Sequence, residues 1–199
     1  MFHVDQGDPP MSENFMWALK HTLAEEGVFQ NHEYDPGGKT KYGITERTWA
    51  AYRQEQSSAG VNAHALPVNV GDISVEHAKE VYWTNYWLPL SLDRIPNKFI
   101  AAEVFDSAVN CGPVTAAKFL QAALNYVRVP EWSRLTEDGA IGPMTRNAIR
   151  ITVASGYLIP LLIAMNGEQY IHYKAIGNQH FSRGWTRRLA LAKDIHESE

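Results

Sequence analysis

The stretch that decides the fold reads Leu23-Ala24-Glu25-Glu26-Gly27 and continues, eight positions after the glycine, into Asp35-Pro36-Gly37-Gly38. Apolar side chains precede it at helical spacing, and Ser12 can cap their first turn, so the pattern predicts a helix from 12 to 26 that ends at the glycine. At about 100° per residue, Glu26 falls inside the apolar stripe of this helix and Glu25 falls outside it. The sequence therefore singles out Glu26 as a carboxyl that faces the protein interior.

The residues after this helix predict an irregular hairpin over 28–45, because Tyr, Thr and Val alternate there with Pro, Gly, Asn and Asp. Thr45 and Ser74 can each cap a further helix, and a surface loop is expected over 57–72. The helical period predicts five more helices, over 97–110, 114–127, 143–154, 157–175 and 181–196. The expected fold class is mainly α, with a small hairpin.

The composition is that of an ordinary globular chain with a weakly acidic balance. Its 199 residues are 45% hydrophobic and 20% charged, and the formal net charge is -4. This weakly negative charge does not favour a nucleic-acid partner, which calls for a basic surface. No run approaches the roughly 20 apolar residues that span a bilayer, so stable membrane insertion is not expected. The first residues lack a secretory signal, and Cys111 has no second cysteine to pair with. We expect synthesis in a reducing cytoplasm.

Glu26 and Asp35 suit acid–base cleavage of a glycosidic bond. Such cleavage needs a protonated carboxyl for the leaving oxygen and usually an ionised one to activate water or attack the sugar. Burial at a helix end favours the protonated form of Glu26, whereas a glycine turn keeps Asp35 solvated and ionised. Thr40 adds a hydroxyl that can hold the attacking water. The alternative is structural, since helix-end glutamates form salt bridges and Asp-Pro-Gly-Gly is a common turn.

A resemblance to a known family rests on several runs in a fixed order. The first four are Glu26-Gly27-Val28-Phe29-Gln30-Asn31, Asp35-Pro36-Gly37-Gly38-Lys39-Thr40-Lys41-Tyr42-Gly43-Ile44-Thr45, Tyr82-Trp83-Thr84-Asn85-Tyr86-Trp87, and Val104-Phe105-Asp106-Ser107-Ala108-Val109-Asn110 with Gly112. These resemble the glycoside hydrolase family 108 muramidases, which are mostly phage endolysins and related bacterial lysozymes. Three later runs, Leu120-Gln121-Ala122-Ala123-Leu124-Asn125, Asp138-Gly139-Ala140-Ile141-Gly142-Pro143-Met144-Thr145 and Phe181-Ser182-Arg183-Gly184-Trp185-Thr186-Arg187-Arg188, resemble the companion peptidoglycan-binding segment. The resemblance covers about residues 12–190.

The resemblance places the catalytic glutamate on Glu26 and implies a lysozyme-like fold of two helical lobes with the hairpin near the active site. The wider phage lysozyme pattern assigns an aspartate and a threonine to positioning the water. Asp35 matches that spacing, and Thr40 comes one residue early. Other departures are Val28 and Phe29, where a glycine and a tyrosine are usual, and the absence of an expected arginine over 166–169.

Three further residues are candidates for substrate binding. Tyr42 lies in the glycine-rich hairpin, where its ring can stack on a sugar. Asn110 and Gln121 carry amides suited to sugar hydroxyls and acetamido groups, although each can equally bond a helix end. Trp83, Trp87 and Trp185 are more typical of core packing. The arginines of 183–188 suit a solvated helix face or contact with an anionic wall polymer.

Neither a metal nor a cofactor is expected. The eight histidines include no pair at the His-x3-His spacing of a helical zinc site. A Cys–His peptidase is the other possibility for Cys111, but Asn110-Cys111-Gly112-Pro113 is typical of a helix end where the thiol packs as a small hydrophobe.

The resemblance therefore implies a peptidoglycan hydrolase that cleaves the β-1,4 bond between N-acetylmuramic acid and N-acetylglucosamine, with inversion by analogy with phage lysozymes. The alternatives are a lytic transglycosylase and a non-catalytic peptidoglycan-binding virion protein. We expect a loose extension over 1–11, a catalytic part over 12–96 and a helical lobe over 97–199, packed as one unit. We also expect a monomer made in the host cytoplasm that reaches the wall after a holin opens the membrane, or one carried by the virion.

Overall fold

The computed structural model describes residues 11–26, 29–30, 40–60, 65–130 and 132–177, with only the backbone of 24–26 and 29–30. In chain order the elements are α1 (Glu13–Glu26), β1 (Phe29–Gln30), β2 (Thr40–Lys41), β3 (Ile44–Thr45), α2 (Glu46–Ser58), α3 (Val75–Tyr82), α4 (Lys98–Cys111), α5 (Pro113–Val127), α6 (Pro143–Ala154) and α7 (Leu158–Ile176). The mainly α fold class is confirmed. The predicted helix over 181–196 and the extension over 1–10 lie outside the described residues.

Polar side chains begin the helices where the sequence predicts them. The Ser12 hydroxyl accepts from the Phe15 amide at 3.2 Å, and the Thr45 hydroxyl accepts from the Thr48 amide at 3.1 Å. Ser74 and His77 form a reciprocal capping box at the start of α3. Each bond satisfies a backbone donor that the first helical turn leaves without a partner. These starts are confirmed, and α2 runs two residues into the predicted loop.

The helix predicted after Ser74 changes form at Tyr82. A π-helical segment follows over Trp83–Trp87, and the Leu88 amide donates to the Trp83 carbonyl at 2.9 Å. This wider turn places the rings of Trp83 and Trp87 in a stack, 6.4 Å apart, and both meet Phe15 of α1 edge-on. Large aromatic side chains thus set the geometry of a segment that the helical period alone describes as regular.

The core is built around α4. All ten residues from Phe99 to Ala108 are buried, and α4 packs against α1, α5 and α7. A helix buried on every side is expected to be mostly apolar, and seven of these ten side chains are; the other three are Glu103, Asp106 and Ser107. Gly112 ends α4 with φ 85°, and Pro113 opens α5 at once. One hydrophobic cluster joins side chains from before residue 96 with side chains from α4 to α7.

Candidate active site

Position 26 is the last residue of α1. It lies four residues after Thr22 and seven after Leu19, which are 3% and 2% exposed. Residues four and seven apart share a helix face, so position 26 lies on the same face of α1 as these two residues. The Glu26 side chain and all of Asp35 lie outside the described residues, and their roles stay predictions.

Tyr42 occupies a tight turn between β2 and β3. Tyr42 and Gly43 have φ of 51° and 74°, and they are the two residues that join Lys41 to Ile44, which pair across the sheet. Positive φ at both central residues is the requirement of a type I′ hairpin turn. A tyrosine rarely adopts it, and such strain concentrates at functional sites. The half-buried Tyr42 therefore lies at the tip of this hairpin turn.

The side chains of Tyr82 and Lys41 hold this turn in place. Tyr82 donates its hydroxyl to the Tyr42 carbonyl at 3.0 Å. The ammonium group of Lys41 lies 5.4 Å from the Tyr42 ring centroid and donates to the Gly71 carbonyl at 2.8 Å. Tyr82 also meets Phe105 of α4 edge-on, with ring centroids 6.0 Å apart. The hairpin tip is therefore tied to the central helix through one tyrosine.

Thr40 lies on the central strand of the three-stranded antiparallel sheet. It pairs with Gln30 of β1 on one side and Thr45 of β3 on the other, and its side chain is half-buried. The predicted hairpin is confirmed for 29–30 and 40–45, and the Asp35-Pro36-Gly37-Gly38 turn lies outside the described residues. Thr40 thus lies two positions before Tyr42 in the same hairpin.

A second carboxyl pair, Glu103 and Asp106, is buried in α4. Their exposed fractions are 5% and 8%. Burial and then the nearby Asp106 charge raise the pKa of Glu103 to about 8. Glu103 therefore carries its proton at neutral pH. The amide nitrogen of Asn110 lies 2.7 Å from the Asp106 carbonyl and 3.4 Å from its carboxylate, so Asn110 extends this pair toward the end of the helix.

Gln121 has a structural role in α5. Its side chain is 1% exposed, and its amide nitrogen donates to Asp138 Oδ1 at 2.8 Å and to the Ala140 carbonyl at 3.1 Å. Its amide oxygen accepts from the Gly139 N–H at 2.9 Å. The bonds from Gln121 and the Ala140 amide lower the pKa of Asp138. Gln121 thus fastens the loop before α6, and substrate binding by this residue stays a prediction without a contact to support it.

The comparisons with known proteins place these residues, except Gln121 and the loop that it holds, in one segment. Residues 19–112 match the family model of glycosyl hydrolase 108. This glycosyl hydrolase 108 segment contains Glu26, Thr40, Tyr42 and the carboxyl pair of α4, and it ends at the Gly112 break. The match supports a glycoside hydrolase, and more narrowly a peptidoglycan hydrolase of the lysozyme type.

The similarity in structure extends beyond the glycosyl hydrolase 108 segment. The chain is similar to SagA of Brucella abortus, with 26% identity and a TM-score of 0.69, over 92% of this chain and 94% of that chain. The similarity thus includes helices that follow the segment, and the lysozyme-like fold class is confirmed. No curated protein matches the chain.

The sequence did not single out Glu103, a buried carboxyl of the matched segment. Asp106 and Asn110 belong to the run that resembles the family, but the glutamate three positions earlier reads as one charge in an apolar helix. The spacing of the two carboxyls is the signal that could have identified Glu103, because Glu103 and Asp106 are one helical turn apart and share a helix face. Among the described residues, no helix is long and apolar enough to cross a membrane, and no group of three or more His, Cys, Asp or Glu side chains is placed to hold a metal ion.

Proposed function

We propose that this protein hydrolyses the β-1,4 bond between N-acetylmuramic acid and N-acetylglucosamine in peptidoglycan. The observation that carries the proposal is the match of residues 19–112 to glycosyl hydrolase 108, with Glu26 at the end of its first helix. The negative end of the helix dipole disfavours a negative charge there. That position suits a carboxyl that must hold a proton until the leaving oxygen takes it.

Asp35 and Thr40 are proposed to supply the water-activating half of the reaction. Asp35 acts as general base, and Thr40, on the central strand of the hairpin, orients the water. A separation of roughly 6.5 to 9.5 Å between the Glu26 and Asp35 carboxyls leaves room for water and gives inversion, whereas about 5 Å gives retention. We propose inversion, by analogy with phage lysozymes.

Tyr42 and Asn110 are proposed to contact the glycan. Tyr42 lies at the hairpin tip with its carbonyl bonded to Tyr82, and aromatic faces stack on the apolar faces of sugar rings. Asn110 lies half-buried at the end of α4, beside the buried carboxyl pair. Both residues belong to the segment that matches the glycosidase family, and neither of the proposed contacts to the glycan requires a cofactor.

An endolysin role is proposed for the cellular setting. The protein is made in the host cytoplasm, acts as a monomer and reaches the wall once a holin has opened the membrane. A virion-associated enzyme would use the same chemistry on the same substrate.

The decisive experiment compares Glu26→Gln with Glu25→Gln on purified peptidoglycan. Glu26→Gln removes the proposed acid and should lower the rate of turbidity loss by at least about 100-fold, the lower range of general acid catalysis. Glu25→Gln changes the neighbouring carboxyl and should leave the rate within a few-fold. Near-full activity of Glu26→Gln would overturn the assignment of the acid.

The products separate the reaction types. Muropeptides with reducing ends, analysed by mass spectrometry, are expected for a hydrolase. Anhydro products would instead identify a lytic transglycosylase, and wall binding without any turbidity loss would identify a non-catalytic protein.

A further inference from the structure

The hairpin that carries Thr40 and Tyr42 is too small to fix its own position. Each of its three strands is two residues long. Strands usually have about five residues, and even a sheet of three strands needs a packed face or a neighbouring helix to be stable. The position of Thr40 in the molecule therefore depends on contacts from outside the sheet.

One such contact is made at the turn of the hairpin. Lys41 and Ile44 pair across the sheet, so the peptide group between Tyr42 and Gly43 lies outside the ladder. Its carbonyl, that of Tyr42, accepts from the Tyr82 hydroxyl at 3.0 Å. Rotation of this peptide group would give a type II′ turn, which favours glycine at the position of Tyr42. The bond from Tyr82 thus supports the turn type that this sequence can adopt.

Tyr82 is itself fixed by its neighbours. Its side chain is 1% exposed, it meets the ring of Phe105 edge-on at 6.0 Å, and the ring of Tyr86 lies 5.9 Å away. Side chains in a close-packed interior do not shift independently of their neighbours. Tyr82 is also the last residue of α3, directly before the π-helical turn, and such turns are frequent at functional sites. Its hydroxyl is therefore a fixed point for the hairpin.

The rings around Tyr82 also reach the helix of the proposed acid. We call them the aromatic cluster, which consists of Phe15, Tyr82, Trp83, Trp87 and Phe105. Phe15 belongs to α1, and its ring meets Trp83 at 5.0 Å, Trp87 at 5.4 Å and Phe105 at 5.8 Å, each edge-on. The helix α1 ends at Glu26. The aromatic cluster therefore contacts both the helix that carries the proposed acid and, through Tyr82, the hairpin that carries Thr40.

We propose that Tyr82 is a positioning residue for the reaction, because its bond to the Tyr42 carbonyl sets the place of Thr40 relative to the acid on α1. The inference rests on the proposed function, in which Thr40 orients the attacking water. Thr40 precedes Tyr42 by two positions, about 7 Å of strand, so a shift of the turn moves Thr40 as well. Tyr82 is buried, and it acts through the hairpin and not by contact with the glycan.

The test compares the wild type with Tyr82→Phe, which keeps the ring and removes the hydroxyl. On soluble peptidoglycan fragments, kcat should fall roughly tenfold, since a misplacement of about 1 Å can cost up to about 100-fold. KM should stay within about threefold, because the Tyr42 ring remains in place. Amide hydrogen exchange over 40–45, followed by NMR, should become roughly fivefold faster, as for the loss of one hydrogen bond.

Tyr52→Phe is the matched control. Tyr52 is 4% exposed, and its hydroxyl donates to Glu80 on α3 at 3.2 Å, so this variant also loses one hydroxyl bond from a buried tyrosine. Its bond joins α2 to α3 and does not involve the turn. Tyr52→Phe should keep kcat and the exchange rates over 40–45 within about twofold of the wild type, even where thermal denaturation shows an equal loss of stability.

A double-mutant cycle with Thr40→Ala separates positioning from general support of the fold. If Tyr82 acts through Thr40, its hydroxyl has little left to position once the Thr40 hydroxyl is gone. Adding Tyr82→Phe to Thr40→Ala should then lower kcat by less than about twofold. A full tenfold further fall would show that the two residues act independently, and it would overturn the proposal.

The same measurements distinguish this proposal from the proposed function. A wild type that cleaves the fragments, together with a Tyr82→Phe variant that keeps its kcat, overturns the positioning role alone. A wild type that leaves the fragments uncut overturns the proposed reaction, and the exchange rates then still decide whether Tyr82 fixes the hairpin. Equal exchange over 40–45 in the wild type and in Tyr82→Phe would show that it does not.

Discussion

At the scale of single residues, Tyr42 combines backbone strain with a proposed contact to substrate. Replacing it by glycine relieves positive φ, worth about 1 kcal/mol, and removes a half-buried ring, so the free energy of unfolding should stay within about 1 kcal/mol of the wild type. The KM for peptidoglycan should rise several-fold, since a stacked ring contributes about 1 kcal/mol. Urea unfolding and steady-state kinetics measure the two effects.

Tyr42→Phe is the control, because it keeps the ring and the strain. Its KM should match the wild type. A glycine variant that keeps a normal KM would show that Tyr42 strain serves only the fold.

Glu103 makes stability depend on pH. Its pKa rises from 4.5 to about 8 on folding, so the native state holds a proton that the unfolded chain has released across that interval. The free energy of unfolding should therefore fall as pH rises from about 4.5 to about 8 and then level off. Glu103→Gln mimics the protonated side chain, so it should flatten this dependence on pH. At pH 8 the variant should unfold at a higher urea concentration than the wild type.

Urea denaturation at several pH values checks the prediction for Glu103. Glu76→Gln is the control, since the Glu76 side chain is 69% exposed in its pair with Lys79, and exposed pairs contribute little. A Glu103→Gln variant that retains the wild-type slope would locate the titrating group elsewhere.

At the scale of elements, Gly112 sets the corner between α4 and α5. Its φ is 85°, and a Cβ there would meet nothing within 4 Å, so the cost of Gly112→Ala comes from the backbone alone. We expect a loss of about 1–3 kcal/mol in the free energy of unfolding, the usual cost of such a conformation for a residue with a side chain. Thermal and urea denaturation measure it.

Gly71→Ala is the matched control for that corner. Gly71 also has open space around its Cβ position, and its φ is not in the positive region. Its variant should stay within about 0.5 kcal/mol of the wild type. Equal losses at both positions would contradict a backbone origin.

Local sequence predicts the helix ends but not the features that depend on packing between distant residues. Thr45, Ser74 and the Gly112-Pro113 pair act on backbone groups within a few residues, so their effects can be predicted from local sequence. The π-helical turn depends on how Trp83 and Trp87 pack against Phe15, which is distant in sequence. The raised pKa of Glu103 likewise follows from burial by other helices, so no local pattern predicts it.

At the scale of the whole molecule, helices outside the matched segment pack against α4, the helix that carries Glu103 and Asp106. These helices are α5 and α7, and their fully buried side chains include Leu120, Leu124, Leu161, Leu162 and Met165. A catalytic part over 12–96 and a lobe over 97–199 would therefore share one core. The sequence predicts this packing only through its resemblance to a known family, because contacts between distant helices leave no local pattern.

A shared core predicts one cooperative unfolding transition. Calorimetry of the full chain should give a single peak with equal calorimetric and van't Hoff enthalpies. A fragment of residues 12–112 contains the glycosyl hydrolase 108 segment but exposes the faces of α4 that meet α5 and α7, so it should show no cooperative transition and no wall-degrading activity. Two separate peaks for the full chain, or a fragment that unfolds cooperatively, would show that α1–α4 form an independent domain.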